Sequence, residues 1–223
     1  MRITRLVAGS VTAGLLGLAP IAVAAPSHAT DNLTTTTAAT PSETELVYGE
    51  DLYVSVDVDA SDGFSASRGT STLYAMEAGS AAWVPVSTGT SASSTFFDVK
   101  PQATTTYKVV YSGYTATSTS EDTYAPSESA AFTVSVARKI TYPSSGFVIK
   151  GKVTPDYGKK KIVIQVSKKQ NKGFKKYKTI KTKSNGKYKI ALPKRGGTWY
   201  WSFIVKGDSR YEANGFVWKT TVF

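Results

Sequence analysis

Between Leu52 and Asp59 the chain alternates strictly. Leu52, Val54, Val56 and Val58 fall on one side, and Tyr53, Ser55, Asp57 and Asp59 fall on the other. A repeat of two places successive side chains on opposite faces of a pleated strand, so this segment predicts a half-buried strand. Leu73-Tyr74-Ala75, Trp83-Val84-Pro85-Val86 and Phe96-Phe97 predict further short strands. Tyr107, Val109 and Tyr111 share one face of another, as do Phe132, Val134 and Val136. Downstream, Phe147, Ile149, Gly151 and Val153 line up, then Ile162, Ile164 and Val166, then Trp199, Trp201, Phe203 and Val205. Phe216 to Phe223 follows as the last run. Asn185-Gly186 between two such runs is a hairpin signal, because both turn positions favour positive φ. No stretch of useful length repeats every 3.6 residues, so no helix is expected.

Each half therefore offers about seven short strands in roughly 90 residues, the count of an immunoglobulin-like sandwich. The reading is all-β, with two tandem Ig-like antiparallel sandwiches over residues 45–137 and 138–223. A single eight-stranded barrel is the alternative, and the charge argues against it. Residues 30–137 carry three basic residues (Arg68, Lys100, Lys108) and thirteen acidic ones, while residues 138–223 carry twenty-two basic and three acidic (Asp156, Asp208, Glu212). That is a net of −10 followed by a net of +19. Such a break is hard to place inside one folding unit, and it sets the boundary at Ala137/Arg138.

The N-terminus carries its own pattern. Arg2 and Arg5 precede an apolar run from Leu6 to Ala19, then Pro20 and the small residues around Ala24 and Ala29. This is the layout of a secretory signal peptide over residues 1–29, with cleavage after Ala24 or Ala29. The run is too short and glycine-rich to suit a membrane anchor. Residues 30–44 hold eight Ser/Thr among fifteen and almost nothing apolar, which reads as a disordered Thr/Ser-rich linker. The chain is thus expected to be secreted, at the cell surface or free outside the cell. Asn32-Leu33-Thr34 matches a short glycosylation sequon.

Several motifs carry a resemblance. Gly151-Lys152-Val153-Thr154-Pro155, Lys161 to Val166, Phe174-Lys175-Lys176-Tyr177, Lys181 to Tyr188, Gly197-Thr198-Trp199-Tyr200 and Val205-Lys206-Gly207-Asp208 with Tyr211 follow one another. They resemble the immunoglobulin-like repeats of secreted and cell-surface actinobacterial proteins. Trp199 stands where that pattern usually has tyrosine. The first half resembles bacterial Ig-like domains through Val47-Tyr48-Gly49 and Thr104-Thr105-Thr106-Tyr107. The resemblance implies a cysteine-free sandwich serving as a spacer, adhesin stalk or accessory module, with no catalytic residues to carry over.

Composition narrows the chemistry. There is no cysteine and one histidine, His28, inside the expected signal peptide, so no thiol, Ser–His or His-cluster chemistry is available to the exported chain. Asp57, Asp59 and Asp62-Gly63 invite calcium, but the spacing misses the EF-hand loop and no bidentate glutamate follows. Glu121, Asp122, Glu128 and Asp98 have nothing to fix a catalytic separation. Trp83 and Trp199 are read as core residues, with Trp201 and Trp218 unassigned. No catalytic residue, cofactor or metal is expected.

The lysines are the remaining signal. Lys159, Lys160, Lys161, Lys168, Lys169, Lys175, Lys176 and Lys178 crowd two strands and their connection. Inward positions hold Ile and Val, so the lysines are expected to project outward and sum into one positive, polyanion-binding surface. Outside a cell, the partners would be anionic cell-wall polymer, acidic polysaccharide or anionic headgroups. No base-reading motif supports sequence-specific nucleic acid. The opposite charge of the two halves also admits docking on itself or on another secreted protein, and exposed aromatics would suit a carbohydrate-binding accessory module.

Overall fold

The computed structural model describes residues 30–223. The expected signal peptide, with its cleavage sites and His28, lies outside the described residues. In chain order the strands are β1 (Asn32–Leu33), β2 (Thr35–Pro41), β3 (Glu45–Val47), β4 (Leu52–Ala60), β5 (Ser71–Glu77), β6 (Val84–Thr88), β7 (Thr95–Val99), β8 (Thr105–Tyr111), β9 (Thr123–Tyr124), β10 (Ser127–Glu128) and β11 (Phe132–Ala137). They continue as β12 (Lys139–Ile140), β13 (Val148–Thr154), β14 (Lys161–Ser167), β15 (Lys175–Lys181), β16 (Lys187–Ala191), β17 (Gly197–Val205) and β18 (Asn214–Val222). Among the described residues there is no helix, and none therefore long and apolar enough to cross a membrane.

The alternation at Leu52–Ala60 is reproduced residue by residue as buried and exposed positions. In the first sandwich a sheet ordered β2-β4-β7 faces one ordered β3-β11-β8-β5-β6, with β10 on β8 and a small β1-β9 pair beside them. One apolar cluster joins the two faces, including Val54, Val58 and Phe96 from one sheet and Leu73, Val109 and Tyr111 from the other. In the second sandwich β12-β13-β16 faces β15-β14-β17-β18. Its cluster draws Ile149 and Ile190 from one sheet and Ile162, Ile164, Trp201 and Phe203 from the other. Both halves thus repeat one strand plan of two sheets closed over a single core, antiparallel except that β3 runs parallel to β11 at one edge of the first sandwich.

One sequence expectation is corrected here. Residues 30–44 do not read as a linker in the structure. β2 pairs with β4 along its whole length, from Thr35↔Ala60 to Pro41↔Val54, and β1 runs parallel to β9. Low apolar content misled because β2 needs little burial. Only Thr37 is buried, and the strand is held by backbone pairing and by hydroxyls. Thr35 Oγ1 lies 2.7 Å from the Ala125 carbonyl, and Thr37 Oγ1 lies 2.7 Å from Ser127 Oγ. Thr is β-branched and well suited to such a half-buried strand.

β11 ends at Ala137 and β12 begins at Lys139, so the sandwiches adjoin directly. The β17–β18 loop of the second reaches back to the first. Thr104 N donates to the Arg210 carbonyl at 2.9 Å and Glu212 N to the Val136 carbonyl at 2.9 Å. Tyr211 packs with Ala103, Val136 and Tyr48, and its hydroxyl donates to the Gln102 carbonyl at 2.9 Å.

Candidate functional site

All eight predicted lysines are exposed, as are the other lysines of the second sandwich. Their placement follows from the strands. Lys159 closes the turn between β13 and β14 with φ 57°. Buried Tyr157 pins that turn by donating to the Lys161 carbonyl at 2.7 Å and accepting from Lys206 N at 3.2 Å. Lys160 Nζ lies 3.1 Å from Asp208 Oδ2. Lys161 opens β14 directly opposite Lys181. Lys168 and Lys169 leave its other end, where Ser167 Oγ accepts from Lys169 N at 2.9 Å and donates to the Lys172 carbonyl at 2.7 Å. Lys175, Lys176 and Lys178 lie on β15, an edge strand.

These eight do not form one point-like site. β14 spans seven residues, about 20 Å at the usual rise, so Lys159–Lys161 and Lys168–Lys169 sit at opposite ends of the sheet with the β15 lysines between. The eight thus lie as a strip along the β14–β15 edge. The other sheet carries a second group outside the predicted set. Lys150 pairs in register with Lys189, and Lys152 with Lys187, across β13 and β16. Like charges directly opposite repel, so this ladder costs stability in the absence of counter-charge. Its signal was legible, since Lys150 and Lys152 alternate with Ile149 and Val153. The Tyr177 and Tyr188 rings point elsewhere than a stacking platform: Tyr188 is buried, with its hydroxyl donating to the Thr141 carbonyl at 2.9 Å, and Tyr177 packs against the core.

Of the nineteen lysines in the second sandwich, only Lys160 pairs with a carboxylate among the described residues. The three acidic side chains all sit at the end beside the first sandwich, in the β13–β14 turn and the β17–β18 loop. The opposite tip carries Lys168, Lys169, Lys172, Lys194 and Arg195 with no acidic side chain. At the junction, burial works to raise the pKa of Asp208, but hydrogen bonds from Arg138, the Arg210 amide and Lys160 hold it well below the usual carboxylate range. Arg210 pairs with Glu77, the one ion pair that crosses the junction among the described residues. Among the described residues no lysine of the second sandwich pairs with an acid of the first, and all nineteen are exposed.

The other candidates separate cleanly. Asp57 and Asp59 occupy the exposed face of β4, and Asp62 Oδ1 accepts from Phe64 N at 3.0 Å within its turn. Glu128 pairs with Lys108 at 2.8 Å, and Glu121 with Arg68 at 3.1 Å. Glu121 is also held below its ordinary pKa, chiefly by the Tyr114 hydroxyl and then by Thr117. The tryptophan assignment is corrected. Trp201 is fully buried and Trp218 nearly so, whereas Trp83 is half exposed, outside the core cluster, with Lys108 Nζ 4.8 Å from its ring centroid. Trp83 immediately precedes the edge strand β6, whose residues are all exposed. Trp199 is half-buried at the start of β17 and packs on the core from its rim.

No family model matches the chain, and no curated protein matches it. Among solved structures, a two-domain fibronectin type III segment of chicken tenascin is similar at 14% identity, over 85% of this chain and 98% of that one, with a TM-score of 0.39. The FN1–FN3 domains of chicken CNTN1 are similar at 13% identity, over 83% of this chain and 66% of that one, with a TM-score of 0.31. Yersinia pseudotuberculosis adhesin InvE is similar at 12% identity, over 86% of this chain and 60% of that one, with a TM-score of 0.31. The strand order of the two halves, and not these distant likenesses, assigns the fold.

Proposed function

We propose that the chain is a secreted, non-enzymatic binding module of the bacterial cell exterior, whose second sandwich contacts anionic envelope polymer. One observation carries the reading: nineteen exposed lysines face solvent with a single carboxylate partner among them. An uncompensated field of that kind draws polyanions through counterion release and falls with salt. Lysine in place of arginine suits diffuse attraction to a repeating polymer, because each ammonium is a compact point charge without a fixed fork. The strip Lys159–Lys161, Lys168–Lys169, Lys175, Lys176 and Lys178 and the ladder Lys150, Lys152, Lys187 and Lys189 would act together. The first sandwich, joined without a linker, would hold the basic one at a set distance from its attachment.

Self-association is the competing reading, with the acidic half of one molecule meeting the lysines of the next. Co-sedimentation of the full chain with purified cell walls, intact or stripped of anionic polymer, separates the two. Binding at low salt that disappears on stripping supports the envelope reading. Equal binding to both wall preparations, or sedimentation of the protein alone, contradicts it and favours self-association.

A further inference from the structure

Arg195 is the one arginine at the acid-free tip of the second sandwich, and its setting differs from that of every lysine there. Its guanidinium carbon lies 4.8 Å from the Trp199 ring centroid, 5.3 Å from that of Trp201 and 5.6 Å from that of Tyr177. Trp201 is fully buried and Tyr177 packs against the same core, so two of these rings are fixed by the fold. Three faces of this kind hold a planar cation in place and take up much of the entropy that an arginine ordinarily loses on binding. Yet the guanidinium makes no side-chain hydrogen bond and no ion pair among the described residues. The other arginines of the sandwich, Arg138 and Arg210, both reach a carboxylate. A second cation sits on the same indole, Lys168 Nζ at 5.0 Å from the Trp199 centroid.

We propose that Arg195, with Lys168 beside it, is a preorganised subsite for one carboxylate or phosphoryl group of the anionic polymer, bound bidentately by the guanidinium edge. The proposal rests on the envelope-polymer reading and deepens it from a diffuse field to a field with one directional contact. The rings surround the guanidinium carbon without supplying a hydrogen-bond acceptor, so its N–H donors are left for an oxyanion presenting two oxygens. Lysines elsewhere on the strip concentrate the polymer, and Arg195 fixes where along it one charged group sits. A carboxylate would come from an acidic polysaccharide and a phosphoryl group from a polyol-phosphate chain.

The test uses the full chain, titrated at low salt with oligogalacturonate and with poly(glycerol phosphate) oligomers of matched charge. The variant is Arg195→Lys, which keeps the charge and removes the fork. Its comparison is Lys161→Gln, which removes a charge at the far end of β14. Loss of about tenfold in affinity for either oligomer with Arg195→Lys, exceeding the loss with Lys161→Gln, supports the subsite, and the oligomer affected names its source. In the unsubstituted chain the Arg195 Nε–H resonance should shift and sharpen on the same titration, a readout that does not depend on how the variant folds. Unchanged affinity with Arg195→Lys, or an unmoved Nε–H signal at saturation, overturns the subsite while leaving the envelope reading intact. Failure of the unsubstituted chain to bind either oligomer overturns both.

Discussion

Arg138, with 1% of its side chain exposed, donates through Nη2 to Asp208 Oδ2 at 2.6 Å. Its guanidinium is stacked 4.1 Å from the Tyr211 ring centroid and 5.1 Å from that of Tyr157, and its Nε donates to the Pro155 carbonyl at 3.0 Å. Asp208 also receives the Arg210 and Tyr211 amides, so one carboxylate ties the buried cation to the loop that clasps the first sandwich. Arg138 follows the last strand of the first sandwich and Asp208 lies in the loop that returns to it. The pair therefore locks the junction from both directions.

Asp208→Asn leaves a buried cation with a weaker acceptor. The expected cost is about 2 kcal/mol, below that of breaking a fully buried pair because Asp208 is 38% exposed. The pH dependence follows from the depressed pKa. Above the unfolded value of about 4 the stabilisation is full, and it is lost as the pH falls toward the folded value. Urea unfolding between pH 7 and pH 2 should show a steeper acid loss for the unsubstituted chain than for Asp208→Asn. Parallel curves would contradict the assignment.

Removal of residues 30–44 should destabilise the first sandwich, because β2 covers one edge of β4 over seven paired positions. The expected sign is a lower melting temperature for the first sandwich with the second unaffected. Limited proteolysis gives the simpler check: cleavage should spare Thr35–Pro41, whereas early cutting there would restore the linker reading.

Burial, opposed by the Thr105 hydroxyl and aided by Glu77, pushes the Tyr107 phenol up to about 12. A raised folded value keeps its stabilisation whole below the unfolded pKa near 10 and loses it as the pH rises through the folded one. Tyr107→Phe should flatten the alkaline loss between those limits by roughly 2 kcal/mol, read from denaturant midpoints at pH 8 and pH 12. A slope identical to that of the unsubstituted chain would contradict the prediction.

The parts legible in the sequence were those written in a repeat of two. Leu52–Ala60, Tyr107–Tyr111 and Trp201–Val205 bury the residues that alternation selects. Gly151 was legible as a strand glycine, and the structure supplies the reason: a Cβ there would meet the Thr141 backbone. β2 was not legible, because a strand held by hydroxyl bonds and pairing leaves no apolar signature. Trp83 was misassigned since local apolar character does not say whether a strand lies at a sheet edge. Among the charges, the sequence identified the lysines and their outward direction. It could not show that Lys187 and Lys189 stand opposite Lys152 and Lys150. Arg195 was invisible as a site because its three aromatic neighbours come from β15 and β17, which the fold places on either side of β14.

The claim that the second sandwich works through its unpaired charge is tested most directly by affinity for poly(glycerol phosphate) as a function of salt. Log affinity should fall linearly with log salt. Replacing Lys161, Lys176 and Lys178 by Gln should reduce that slope by about one for each engaged lysine without changing the melting temperature. An affinity indifferent to salt, or a slope unchanged by the three substitutions, would contradict the account.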